Sequence, residues 1–412
     1  MEELTRRGLF AAAAAAAWAW PRGDRSTLPE AGGRFELPAP PGADNSPLFA
    51  TGFIEHSSSP PFAHCPSLVQ LPDGRLACAW YAGSREGGRD VAIWWAESSA
   101  ADVAAGRIAW SEPVAVVDRR SAAGDLDRFV AKVGNSVIFT DSAGRPWIVF
   151  VSIAVGGWSG SSLNACCSND GGRTWEPAHR LSLSPFLNVS ELVRAAPVSL
   201  DGDRIGLPVY HECLGKFPEM LWLRAEGDRL VATKSRMAGG RSLIQPAIVP
   251  LDEKRAVALL RNHSKTHRVA IQRTSDAGRS WSEPEPTPLP NPDASVAVVR
   301  LAGGRLLVAF NDSTKDRDNL ALAVSDAADA PFDSANAPTG VIGGWKRIAT
   351  LESESGERFA YPYLVCDRGG RVHLAYSWKM RQIRHAVFNE AWIDAQPGEP
   401  IAAGGIDGEA AG

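Results

Sequence analysis

Beyond its N-terminus the sequence has no sustained helical periodicity, no run of Lys and Arg interleaved with aromatics, and no metal-type spacing of Cys or His. Each absence excludes something. Without a helical period there is no amphipathic face from which to build a helix bundle. With a net charge of −4 and no basic aromatic stripe, nucleic acid and anionic membrane surfaces are poor partners. The eight His include no H-E-x-x-H, and the six Cys fall in no ligand pattern, so neither metal nor cofactor is expected. The apolar run from Ala11 to Ala19 is too short to span a bilayer, so no stable membrane insertion is expected either. Cys78 and Cys366 stand in buried-strand patterns, and most of the Cys read as small core residues.

What is present is repetition. Ser168-Asn169-Asp170-Gly171-Gly172-Arg173-Thr174-Trp175 and Thr274-Ser275-Asp276-Ala277-Gly278-Arg279-Ser280-Trp281 both fit S/T-x-D-x-G-x-x-W. The pattern reads as a hairpin turn. The Asp side chain caps backbone N–H groups, the Gly supplies positive φ, and the Trp packs under the loop. A weaker repeat accompanies it. Six turns ending in Arg (Arg75, Arg145, Arg204, Arg255, Arg305 and Arg371) are each flanked by two short apolar runs. Each such pair is a hairpin buried on both faces. The spacing of 50 to 70 residues leaves room for two further strands per unit. The expected fold is all-β: a six-bladed β-propeller of four-stranded antiparallel blades. Closure should come from a strand near Phe53 pairing with Ile383 to Phe388. Trp110 and Trp345 lie where degenerate copies of the box would fall.

The ends of the chain read differently. Arg6-Arg7 followed by the alanine run is a twin-arginine signal pattern, with Ala17-Trp18-Ala19 resembling a cleavage site. Residues 1–20 are therefore expected to be a signal peptide and 21–44 a linker. The propeller should occupy 45–395 and a loose tail 396–412. Localisation is expected to be periplasmic or secreted.

Propeller geometry also points to a site. Inner strands start, and their hairpin partners end, at one mouth of the central channel. The strand starts are His64, Asn135, Arg194, Gln245, Asp293 to Ser295, and Tyr361. The returns carry Arg85, Glu86 and Asp90, then His211-Glu212, Arg261-Asn262, Asn311-Asp312 and Trp378-Lys379. Polar groups converging on a concave mouth make a candidate binding site.

The boxes, the opening His64-Cys65-Pro66-Ser67-Leu68 and the stretch Gly83 to Asp90 resemble the sialidase superfamily, closest to its bacterial BNR-repeat members. The likeness spans about residues 50 to 390. It implies an arginine triad that grips a substrate carboxylate, an Asp acid/base, and a Tyr nucleophile paired with a Glu. On that likeness His64 takes the first arginine's place, and Arg261 and Arg317 take the second and third. The acid/base falls within Glu86 to Asp90, Gln245 replaces the Glu, and Tyr361 matches the nucleophile. Arg85, Arg194 or Arg241 could restore the missing charge, and Glu212 could substitute as base.

Three functions follow. The first is an exo-acting glycoside hydrolase on an acidic or sialic-acid-like sugar. Glu86 or Asp90 is its acid, Tyr361, or Glu212 acting through water, attacks, and His64, Arg85, Arg194, Gln245, Arg261, Asn262 and Arg317 bind substrate. The second is a uronate polysaccharide lyase with His64 or His211 as base and Tyr361 as acid. The third is a non-catalytic glycan-binding propeller. The partner in every case is a glycan or small acidic sugar; the oligomeric state stays open.

Overall fold

The computed structural model describes residues 29–38, 46–54, 60–183, 190–213, 215–325 and 344–401. The expected signal peptide, most of the expected linker and most of the expected tail lie outside the described residues. Among those described, no helix is long and apolar enough to cross a membrane.

Six antiparallel sheets form the six blades. Blade one runs Phe62–Gln70, Leu76–Gly83, Ala92–Ser98 and Val114–Val117, from the channel outward. Blades two and four repeat that order from Lys132–Thr140 and Leu243–Pro250. Blade six runs Phe359–Cys366, Val372–Trp378 and Gln382–Phe388, and its outer strand is the N-terminal Phe49–Phe53. That strand pairs Phe49 with Phe388 and Phe53 with Arg384, so the ring closes where the sequence predicts. Two blades depart from four strands. In blade three the inner strand is broken at Arg194 into Glu191–Val193 and Val198–Leu200. In blade five the outer strand Trp345–Ser353 gains Glu399–Pro400 as a fifth.

The core lies between blades, because each sheet is apolar on both faces. Trp147, Trp222 and Trp345 are among its largest fully buried side chains. Two expectations about the chain ends need correction. Phe35, in the expected linker, is 3% exposed and pairs with Leu200 on blade three. Glu399 and Pro400, in the expected loose tail, hydrogen-bond across to blade five. In both places the chain covers a sheet rather than trailing free. Cys366 also differs from its expected burial, ending its strand exposed.

Both boxes connect the third and fourth strands of their blades. In the second, Asp276 Oδ1 accepts from Ser280 N at 2.9 Å, while Gly278 N donates to Thr274 Oγ1 at 2.9 Å. Gly278 has φ +83° and lies against the Trp222 ring, so the Gly is required by both conformation and space. The first box is built alike, with Thr174 N donating to Asp170 Oδ1 at 2.8 Å. Trp110, Trp175 and Trp281 each sit four residues before an outer strand, whereas Trp345 begins the strand itself. The boxes touch the inner hairpin turns: Ala277 N donates to Lys254 O at 2.8 Å, and Arg75 to Gly171 O at 3.1 Å. They therefore lie on the face away from the mouth. Asp276→Ala should lower stability by about 1 kcal/mol, as for loss of a capping side chain. Urea denaturation checks this, and ligand binding at the mouth should not change.

Blade six holds a directed polar chain. Trp110 Nε1 can only donate, and it donates to His385 Nδ1 at 3.3 Å. His385 Nε2–H then faces His373 Nδ1 at 3.0 Å, and His373 Nε2–H faces Asp367 Oδ2 at 3.3 Å. Burial, then His373, holds His385 well below its ordinary value. Burial likewise lowers His179 to about 4, with its Nε2 accepting from Leu230 N. These histidines are neutral when folded and take up protons when unfolded. Their stabilisation is complete above ~6.5 and is lost as pH falls below it, by about 1.4 kcal/mol per pH unit for each. NMR should find both rings neutral at pH 5.5, and unfolding at that pH should take up protons. Charged rings in the folded protein would contradict this.

Candidate active site

The mouth is built from bulges. In blades one, four and six the inner strand carries an irregularity at the same place, between His64 and Ser67, Ile244 and Ala247, and Ala360 and Tyr363. Each contains a residue followed by Pro: Cys65, Gln245 and Tyr361. All three have positive φ, +59°, +55° and +56°. A non-glycine residue in that region is strained, and a bulge re-aims its side chain. Here the bulges bring Gln245 and Tyr361 to one shared neighbour, Arg261.

A cationic cluster meets them. Arg261 Nε donates to Asp293 Oδ1 at 2.7 Å, and its NH1 lies 3.4 Å from Gln245 Oε1 and 3.5 Å from the Tyr361 hydroxyl. Burial opposes its charge, but Tyr361 and Asp293 more than offset that and hold it protonated. Arg317 donates to the Asp293 carbonyl and feels Arg261, Tyr361 and Arg358. Burial tends to raise Asp293, yet Arg261 and His263 keep it below its ordinary value. His64 is 3% exposed, with its ring centroid 4.4 Å from that of Tyr361 and its Nδ1 without a protein partner. Burial, then Arg194, Arg317, Arg358 and Arg261, hold it well below its ordinary value, so it is neutral.

Tyr210 completes the floor, and the sequence reading missed it. Gln245 Nε2 donates to its hydroxyl at 3.1 Å and Asn135 Nδ2 at 3.4 Å. Both amide orientations are fixed by one-way partners, Arg261 as donor and the Val193 carbonyl as acceptor. Both lone pairs are therefore taken, and the O–H must donate away from the amides. Burial, then Tyr361 and Glu212, raise this phenol well above its ordinary value. The signal was the two-residue strand period. It puts Tyr210 and Glu212 on one side and His211 on the other. His211 stacks on Phe217 at 4.6 Å, away from the mouth. Arg358, exposed just before Phe359, was also missed.

The remaining predicted residues divide. Glu86 is exposed on the rim; burial raises Cys65 and Tyr81, and the Glu86 charge lies near enough to add to both. Glu212 is half-buried beside Tyr210. Arg85 is exposed in the Glu86 loop. Asp90 is committed to that loop: its carboxylate accepts from Ser84 N and Oγ, both at 2.8 Å, and those bonds hold it ionised. Asn262 binds Thr266 and the Arg268 carbonyl, tying its own loop. Arg194 lies under the floor, fully buried, donating to the carbonyls of Pro66 and Pro362. Its place in the broken strand of blade three sends it beneath the neighbouring bulges rather than up into the mouth.

The BNR repeat-like domain matches residues 74–374. The chain belongs to the BNR repeat-like family. No curated protein matches it. Among solved structures this BNR repeat-like protein is similar to a Dyadobacter fermentans protein of unknown function, with 14% identity and TM-score 0.60. The match covers 82% of this chain and 97% of that one. It is similar to a Hadza microbial sialidase, at 15% identity and TM-score 0.62, over 82% and 68% of the two chains. It is also similar to an intramolecular trans-sialidase from Ruminococcus gnavus in complex with oseltamivir carboxylate. Identity there is 12%, TM-score 0.60, and coverage 84% and 98%. At these identities the likeness establishes the fold of this BNR repeat-like protein and leaves its chemistry to the mouth.

Proposed function

We propose that the protein is an exported, exo-acting glycoside hydrolase on a carboxylate-bearing, sialic-acid-like sugar. One observation carries this reading. Arg261 reaches the Tyr361 hydroxyl, Arg317 feels both of them and Arg358, and the carboxylate among them, Asp293, is already shared with His263. An excess of guanidinium groups beside a phenol, with Arg261 buried, Arg317 half-buried and Arg358 exposed, suits a planar anion, which arginine grips through paired N–H donors. Arg261 and Arg317 would hold the sugar's carboxylate. Tyr361 would attack or position the anomeric carbon, Glu86 would protonate the leaving oxygen from the rim, and Glu212 would take the proton that the amide Gln245 cannot. The Arg6-Arg7 pattern supports export to the periplasm or beyond.

A second reading, a uronate lyase, is favoured by one specific observation. His64 is neutral, its Nδ1 has no protein partner, and its ring stands against Tyr361. A neutral base, a phenol and arginines that neutralise a carboxylate are the groups a β-elimination needs. The deciding experiment is incubation with sialosides, aryl glycosides of acidic sugars and uronate polysaccharides. Release of phenol or reducing sugar without ultraviolet absorbance supports the hydrolase. An unsaturated, absorbing product supports the lyase. Binding without turnover leaves a glycan-binding propeller.

A further inference from the structure

Beneath the mouth the channel holds a charge that no carboxylate among the described residues pairs. Arg194 is 2% exposed and reaches across from the broken strand of blade three. Its NH1 donates to Pro66 O at 3.2 Å and its NH2 to Pro362 O at 2.6 Å. Its guanidinium lies 5.2 Å from the Tyr361 ring centroid and 5.5 Å from that of Tyr363. Carbonyls and ring faces offset part of the cost of burying this cation. Among the described residues no carboxylate forms an ion pair with it. Its Nε–H and the Tyr363 hydroxyl are both buried without a protein partner. Arg194 and Tyr363 line one cavity of about 20 Å³ of water-sized space, walled by Ala195, Ala247, Val296 and Pro362.

The side-chain chemistry of that cavity is one-sided. It offers a positive charge and two unused donors. Its other wall side chains are apolar, so only the Tyr363 oxygen among them can accept. Backbone such as the Pro362 carbonyl also borders the space, so a water with its two to four partners is the competing occupant. A small anion needs only donors. The available space suits one small ion.

We propose that the channel binds a halide, chloride in ordinary salt, held by Arg194 Nε–H and Tyr363 O–H. The ion neutralises Arg194 and so stiffens the floor, because the same guanidinium grips the carbonyls next to Cys65 and Tyr361 in sequence. The proposal does not depend on what the mouth does.

The test uses the full chain. Crystals grown with bromide in place of chloride should give an anomalous peak within hydrogen-bond distance of Arg194 Nε and Tyr363 OH. That peak should persist in Arg317→Ala, which separates it from any bromide held by the mouth arginines. In solution, the folding equilibrium constant should rise about tenfold per tenfold chloride above the dissociation constant, relative to gluconate at matched ionic strength. Tyr363→Phe keeps the ring over Arg194 and should weaken that dependence; it serves where Arg194→Leu fails to fold. A cavity without anomalous signal in bromide crystals overturns the proposal. So do equal stabilities in the two salts, and so does halide stabilisation with density only elsewhere.

Discussion

Arg261→Met should weaken binding of a carboxylate-bearing sugar by about 10²- to 10³-fold. Removing one partner of a desolvated charge pair costs roughly 2–5 kcal/mol, and each 1.4 kcal/mol is tenfold. The position justifies so large an effect. Arg261 is 9% exposed and touches Asp293, Gln245 and Tyr361 at once. Its loss leaves Asp293 with His263 and a repulsive carboxylate where the ligand's own carboxylate would sit. Titration calorimetry with an acidic monosaccharide measures the change. Arg317→Met is the companion variant. Its guanidinium is spent on the Asp293 carbonyl rather than the carboxylate, so its loss should weaken binding with less harm to stability. Unchanged affinity in the Arg261 variant would remove that residue from the proposed clamp.

The propeller was legible in the sequence because its evidence is periodic. Six turn-Arg hairpins and two Asp boxes each need a fixed local geometry, and Arg75, Arg145, Arg255 and Arg371 all bond back to the Asp of their own turn. The face of the mouth was legible for the same reason, since strand direction alternates regularly. What could not be read was where each polar side chain goes once it is on that face. Asp90, Asn262 and Arg194 look as functional in sequence as Glu86, Gln245 and Arg261. Asp90 and Asn262 satisfy backbone donors and acceptors in their own loops, which depends on loop conformation rather than residue type. Arg194 turns down because the two neighbouring bulges present carbonyls there. Those bulges are themselves illegible: left-handed Cys65, Gln245 and Tyr361 before proline contradict local propensity and exist only because the ring imposes them. Tyr210 was overlooked beside two more conspicuous neighbours, although the strand period alone would have placed it with Glu212.

The sharpest test of chemistry is Glu86→Gln beside Tyr361→Phe, measured on aryl glycosides of graded leaving-group pKa. A general acid contributes about 10²- to 10⁴-fold, and only where the leaving oxygen needs a proton. Glu86→Gln should therefore lower the rate within that range on poor leaving groups and approach wild type on good ones. Tyr361→Phe should lower it on both, because attack or positioning at the anomeric carbon is needed whatever departs. The two losses are separable on structural grounds. Glu86 stands exposed on a loop and can be changed without disturbing the floor. Tyr361 packs against His64 and lies over Arg194, contacts that phenylalanine keeps while losing the hydroxyl. Wild-type rates for both variants on poor leaving groups would exclude these roles. A third pattern identifies the lyase instead: Tyr361→Phe abolishes formation of an absorbing product, Glu86→Gln leaves it intact, and His64→Gln abolishes it as well. The neutral His64 is then the base, its proton acceptor being the Nδ1 that no protein group occupies.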